Sequence, residues 1–107
     1  MNIPAGQPSG LPPHVVASLT VIFEQWPQIK RVVLYGSRAM GNYRTGSDID
    51  LCVEGEDLGL GDLLKIDNAI DDLLLPWKVD LSLRHTIENP ALLAHIERVG
   101  VPIYPTP

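Results

Sequence analysis

The spacing of apolar residues changes several times along the chain, and each change marks an element. Val15, Val16, Leu19, Val21, Ile22, Phe23 and Trp26 mostly follow helical spacing from His14 onward, and Pro27 stops the pattern, which predicts a first helix. Arg31 to Tyr35 is a short run rich in β-branched and aromatic residues that closes at Gly36, as a strand feeding a tight turn does. Ser37 to Gly46 is polar and glycine-containing, so it is either a loop or a short helix whose N-terminus lies beside Gly36. From Ser47 to Glu54 the alternation is clean. Asp48, Asp50, Cys52 and Glu54 share one face of the implied strand, and Ile49, Leu51 and Val53 share the other.

Beyond the glycines at 55, 59 and 61, the positions Leu63, Leu64, Ile66, Ile70, Leu73 and Leu74 predict a helix that ends before Pro76. Alternation returns in Trp77 to Arg84, with Lys78, Asp80, Ser82 and Arg84 on one face and Val79, Leu81 and Leu83 on the other. Asn89 as N-cap, Pro90 at the first helical position and Gly100 just past the end frame a helix over 90–99. Val101 to Tyr104 reads as a last short strand. The order is that of an α/β domain whose helices pack on one face of a sheet. Residues 1–13, with four prolines and two glycines, are expected to form a flexible leader to a domain over 14–104, with 105–107 as a tail.

Composition narrows the function classes. At 107 residues and 45% apolar, the chain suits one compact domain. A net charge of −5 argues against a surface that tracks a nucleic-acid backbone, which needs clustered Lys and Arg. A small polyphosphate stays compatible with that charge, because divalent cations bridge carboxylates to phosphates. Cys52 is the only cysteine, so no intrachain disulfide or cysteine-based zinc site can form, which fits a reducing cytoplasm. No stretch approaches the roughly 20 apolar residues needed to span a bilayer, and no secretory signal pattern precedes the domain.

The candidate chemistry lies in three carboxylates. Asp48 and Asp50, on alternate residues of one strand, would stand roughly 6 to 7 Å apart, close enough to share metal ions and repulsive without them. Asp80 joins them from the polar face of another strand. Oxygen-only ligands favour Mg2+ or Mn2+ over zinc. Upstream, Gly36-Ser37 ends a strand at a turn where backbone can approach an anion and a hydroxyl can donate to it. Each element alone has a plain alternative: glycine and serine as turn chemistry, two acids as a solvated strand face.

Together they are specific. Gly36-Ser37, ten residues, then Asp48-Ile49-Asp50 resembles the signature of the nucleotidyltransferase superfamily that includes DNA polymerase β, poly(A) polymerases and aminoglycoside nucleotidyltransferases. Gly36-Ser37-Arg38-Ala39-Met40-Gly41, Ser47-Asp48-Ile49-Asp50-Leu51 and Ile96 to Tyr104 are similar to the minimal (MNT) subgroup, antitoxins of toxin–antitoxin pairs encoded beside HEPN-domain partners. The resemblance implies a polymerase β-like α/β (α+β) fold, with a mixed sheet, helices on one face and the carboxylate site on the other. It implies metal ligation by Asp48, Asp50 and Asp80, with Asp80 helping to deprotonate a nucleophile that attacks the α-phosphorus. Gly36 and Ser37 would hold the β- and γ-phosphates of ATP. The subgroup further implies transfer of AMP to a HEPN-type partner within a homo- or hetero-oligomer, since the chain has no room for the acceptor domain of larger members.

Other residues keep two readings. Arg38 could pair with a phosphate, cap a helix or face solvent, and Ser47 could orient Asp48, touch phosphate or simply close a turn. Lys78 and Arg84 read as solvated charge. Tyr43 and Trp77 could stack on a base or pack at the core rim. His14, His85 and His95 have no partner in the spacing, and Cys52 reads as a small core residue. The rival functions are a nucleotide-binding antitoxin or subunit that masks its partner without catalysis, nucleotidyl transfer to a small molecule, and an inert scaffold.

Overall fold

A computed structural model describes residues 10–105. In chain order they form α1 (Pro13–Phe23), β1 (Ile29–Tyr35), α2 (Ser37–Met40), β2 (Ile49–Gly55), α3 (Leu60–Asp71), β3 (Val79–Leu83), a 3-10 turn (Arg84–Thr86), α4 (Pro90–Val99) and β4 (Val101–Tyr104). The strands make one mixed sheet in the order β3-β2-β1-β4. β1 runs antiparallel to both β2 and β4, whereas β2 and β3 are parallel. The parallel pair needs a crossover, and α3 supplies it.

Alternation along the strands sorts side chains into two layers. Val32 and Leu34 of β1, Ile49, Leu51 and Val53 of β2 and Leu83 of β3 join Val15, Leu19, Ile22 and Phe23 of α1 and Ile66 and Ile70 of α3 in the main core. On the opposite face, Val33, Tyr35 and Cys52 meet Ile96 of α4, with Ile87 and Leu92 at the margin. Helices therefore cover both faces, and α4 lies on the carboxylate side, where the alternating pattern of β2 and β3 predicts none. The physical reason is β1. Its run Val32-Val33-Leu34-Tyr35 is apolar on both faces, so the carboxylate face has an apolar half that must be covered. Burying side chains the size of Val33 and Ile96 is worth roughly 1.5–3 kcal/mol each, enough to dock a short helix there.

The ends of α4 show how local chemistry fixes it. Asn89 Oδ1 accepts from the amides of Ala91 and Leu92 at 2.9 and 3.3 Å, as its N-cap position predicts. Gly100 is not the left-handed cap expected of a helix-ending glycine, because its φ is −60° and its backbone is extended. Glycine is required there for another reason: a Cβ would strike the Ile96 carbonyl oxygen and Val33 Cγ1, where the chain turns straight from α4 into β4.

Two boundaries differ from the apolar pattern. Residues 1–9 of the expected leader lie outside the described residues, but Leu11 is fully buried in the main core and Pro13 opens α1. α3 starts early, at Leu60, because the Asp62 carboxylate accepts from the Gly59 amide at 3.0 Å. It ends before Leu74, which takes a left-handed φ of 54° and is 86% exposed. Leu64 also faces outward rather than marking the buried stripe. Of the expected tail, residues 106 and 107 lie outside the described residues.

Candidate active site

The site lies at one end of the sheet, where β1 finishes and β2 and β3 begin. Asp50 stands opposite Asp80 across the parallel pair and opposite Tyr35 across the antiparallel one, so the three share a row. Asp48 lies outside β2: the strand starts at Ile49, whose amide donates to the Lys78 carbonyl at 2.9 Å. The expected strand start at Ser47 is displaced because Arg44 to Ser47 close a turn of their own. The Arg44 amide donates to Ser47 Oγ at 2.8 Å, and the Ser47 amide donates to the Arg44 carbonyl at 3.0 Å. Asp48 and Asp80 are exposed and Asp50 is half-buried.

Burial lifts the Asp50 carboxyl above the usual carboxylate range, the neighbouring charges of Asp80 and then Asp48 lift it further, and His95 opposes them. Like charge crowded in this way is relieved when a cation binds. Among the described residues, no three acidic, His or Cys side chains already converge on one ion. The donor set still fits Mg2+ or Mn2+, which are commonly held by one or two carboxylates with the remaining positions filled by substrate phosphates and water.

Gly36 forms the turn after β1 with a φ of 77°, and a Cβ there would strike Asp50 Oδ2. Both its conformation and its closeness to Asp50 therefore demand glycine. Its amide donates to His95 Nε2 at 3.2 Å, a contact from α4 that binds the turn to the helix behind it. Nε2 is the acceptor in this bond. The ring also meets Tyr35 edge-on at 6.2 Å. Tyr35 itself has its phenol lifted by burial and by Asp50, Asp80 and Cys52, against a hydrogen bond with Ser82. Beneath this row the Cys52 thiol is pushed up to about 11, chiefly by burial.

Ser37 follows Gly36 as the first residue of α2. Arg38 and Ser47, also singled out in the sequence, sit differently. Arg38 is 2% exposed. Its Nε donates to the Ser47 carbonyl at 3.1 Å and a terminal nitrogen donates to the Thr45 carbonyl at 3.4 Å. The guanidinium also lies over the rings of Tyr43 and Trp77, 4.9 and 5.3 Å from their centroids. Those aromatics thus stack on an arginine. Arg84 reaches Glu97 of α4 at 3.1 Å, and Lys78 is exposed.

His95, Tyr35 and Ser82 are the site neighbours that the sequence motifs leave out. His95 is separated from Gly36 by most of the chain, so no spacing rule connects them. The doubly apolar run of β1 is the one signal that could have placed α4 on this face.

The sequence matches the family described as "Polymerase beta, Nucleotidyltransferase" over residues 17–106. A protein of Methanocaldococcus jannaschii named as a candidate protein adenylyltransferase is 32% identical over 77 residues, which cover 71% of this chain and 78% of that protein. Among solved structures, a chain from a toxin–antitoxin crystal structure with AMP-PNP superposes with a TM-score of 0.69 at 21% identity, covering 88% of this chain and 73% of that one. A structure of a tri-AMPylated Shewanella oneidensis HEPN toxin in complex with its MNT antitoxin gives 0.65 at 17% identity, covering 85% and 70%. At those identities the two structures establish a shared fold.

Proposed function

The chain belongs to the polymerase beta nucleotidyltransferase family, and from that premise we propose that it transfers AMP from ATP, with Mg2+ or Mn2+, to a HEPN-type partner protein. The observation that carries this reading is the row of Asp50 and Asp80, with Asp48 just upstream and the Gly36 turn pressed against Asp50. Support for a protein acceptor comes from the relative named as an adenylyltransferase and from the fold shared with the antitoxin of an AMPylated HEPN toxin.

In the transfer, the acceptor's nucleophile forms a bond to the α-phosphorus, the bond from that phosphorus to the bridging oxygen breaks, and pyrophosphate leaves. Asp48, Asp50 and Asp80 would hold the metal ions, which when bound supply charge neutralisation at the attacking and leaving oxygens. Asp80, exposed on the edge strand, takes part in removing the nucleophile's proton. Ser37 donates to the β- and γ-phosphates, and Gly36 keeps the space between turn and Asp50 narrow. With its amide given to His95, Gly36 contributes shape. Arg38 and Ser47 act on the nucleotide through the loop they hold.

The test is incubation of the protein with a HEPN-domain partner, α-labelled ATP and Mg2+ or Mn2+, beside an Asp48→Asn/Asp50→Asn double variant. Label on the partner that is lost in the variant is the expected result. Absence of label with either metal, while the two proteins still associate, would replace catalysis by masking.

A further inference from the structure

Asp48 poses a mechanical problem. It precedes the first ladder bond of β2, so no sheet hydrogen bond fixes its position. The turn before it is closed on itself by the two Arg44–Ser47 bonds, which shape the turn but do not anchor it to the body of the domain. Anchoring comes from side chains. Trp77 Nε1 donates to the Thr45 carbonyl at 2.9 Å, and Arg38 donates to the Thr45 and Ser47 carbonyls while lying over the Trp77 ring. Trp77 belongs to the segment entering β3, the strand that carries Asp80. One indole thus ties the approach to β2 to the approach to β3.

We propose that Trp77, backed by Arg38, is a positioning residue that sets where Asp48 stands relative to Asp50 and Asp80, and so governs metal affinity. The proposal rests on the reading of those aspartates as metal ligands. An indole N–H is a donor only, and a carbonyl at the turn is its match. The guanidinium adds planar donors and stacks on the same ring, so turn, cation and indole form one stiff unit. Stiffness matters because carboxylates that must approach each other around a cation repel until it arrives. Buried Ile49, bonded to the Lys78 carbonyl, fixes Asp48 from its C-terminal side, and the Trp77–Arg38 hold fixes it from the N-terminal side, so that it does not relax away from Asp50.

The test uses Mn2+ alone, counted by the loss of the free-ion signal in electron paramagnetic resonance, with no nucleotide or acceptor present. Trp77→Phe keeps a ring over Arg38 and removes the donor. It is expected to weaken Mn2+ binding by about fivefold, the worth of one hydrogen bond. Trp26→Phe, at the rim of the main core, should leave Mn2+ affinity unchanged. In the Trp26→Phe background, where Trp77 is the only tryptophan, Mg2+ should shift the emission, and Asp48→Asn should abolish that shift, because coupling between two sites is reciprocal. This second measurement needs no change at Trp77. Unchanged Mn2+ affinity in Trp77→Phe, or emission indifferent to Mg2+ in a protein that binds it, overturns the strap while leaving the metal site standing. Equal Mn2+ binding by the native protein and by Asp48→Asn/Asp50→Asn overturns the site and the strap together.

Discussion

Asp50 and Asp80 face each other directly across the only parallel strand pair among the described residues. The register puts two acids side by side, with a third close enough to add its charge, and the fold bears the electrostatic cost at Asp50. Structures accept such a penalty where function requires the groups together.

The penalty has a sign that can be measured. Because the Asp50 pKa is raised on folding, the folded protein holds the proton more tightly than the unfolded chain. Ionisation therefore subtracts stability as pH rises from the unfolded value through the folded one. In the presence of EDTA, Asp50→Asn should raise stability at pH 7 and raise it much less at pH 4, where the native carboxyl is largely protonated. Urea unfolding at both pH values checks it. The same variant should lose nucleotidyl transfer, so stability and activity move in opposite directions.

Gly36 and Gly41 both have positive φ, 77° and 84°, yet only Gly36 has a neighbour where a Cβ would go. Gly41→Ala should cost about 1 kcal/mol from backbone strain alone. Gly36→Ala should cost more than that and also displace Asp50, removing activity. Urea midpoints and a transfer assay on the two variants separate strain from collision.

His95→Leu removes the acceptor for the Gly36 amide. The expected loss is about 1–2 kcal/mol, with the KM for ATP raised more than kcat is lowered, because the turn beside the phosphates loosens. A glutamine amide oxygen can occupy the place of Nε2, so His95→Gln should recover most of both. Equal KM values in the native protein and the leucine variant would show that α4 does not support the turn.

Cys52 is fully buried and its thiol titrates near 11, so at pH 8 about one molecule in a thousand carries the reactive thiolate. A thiol-specific disulfide reagent at pH 8 should leave the folded protein unmodified for hours and label it at once in denaturing urea. Rapid labelling without denaturant would mean that the layer between the sheet and α4 opens readily.

Much of this was legible in the residues. Gly36-Ser37, Asp48-Ile49-Asp50 and Asp80 stand out because strand alternation and turn chemistry are local rules, and the cap at Asn89 is local too. What the sequence hides is pairing. The opposition of Asp50 to Asp80 and the reach of His95 to Gly36 depend on which strands and helices become neighbours, and that is settled by burial across the whole chain. Arg38 shows the limit most clearly: the motif places an arginine beside a phosphate-type turn, and only the fold brings its guanidinium over two aromatic rings and within reach of the Thr45 and Ser47 carbonyls. Placement of all helices away from the acids failed for a similar reason, since the apolar residues that recruit α4 belong mainly to β1 rather than to the acid-bearing strands.

The crossover between β2 and β3 passes through α3 on the face away from the acids, so the two halves of the carboxylate row are joined in sequence by a helix that never enters their neighbourhood. A route of that kind can be lengthened, shortened or redecorated while the spacing of Asp50 and Asp80 is preserved by the ladder alone. Leu60 at the start of α3 and Leu74 just beyond its end are both exposed, so a change at either place leaves the opposition of the two acids untouched.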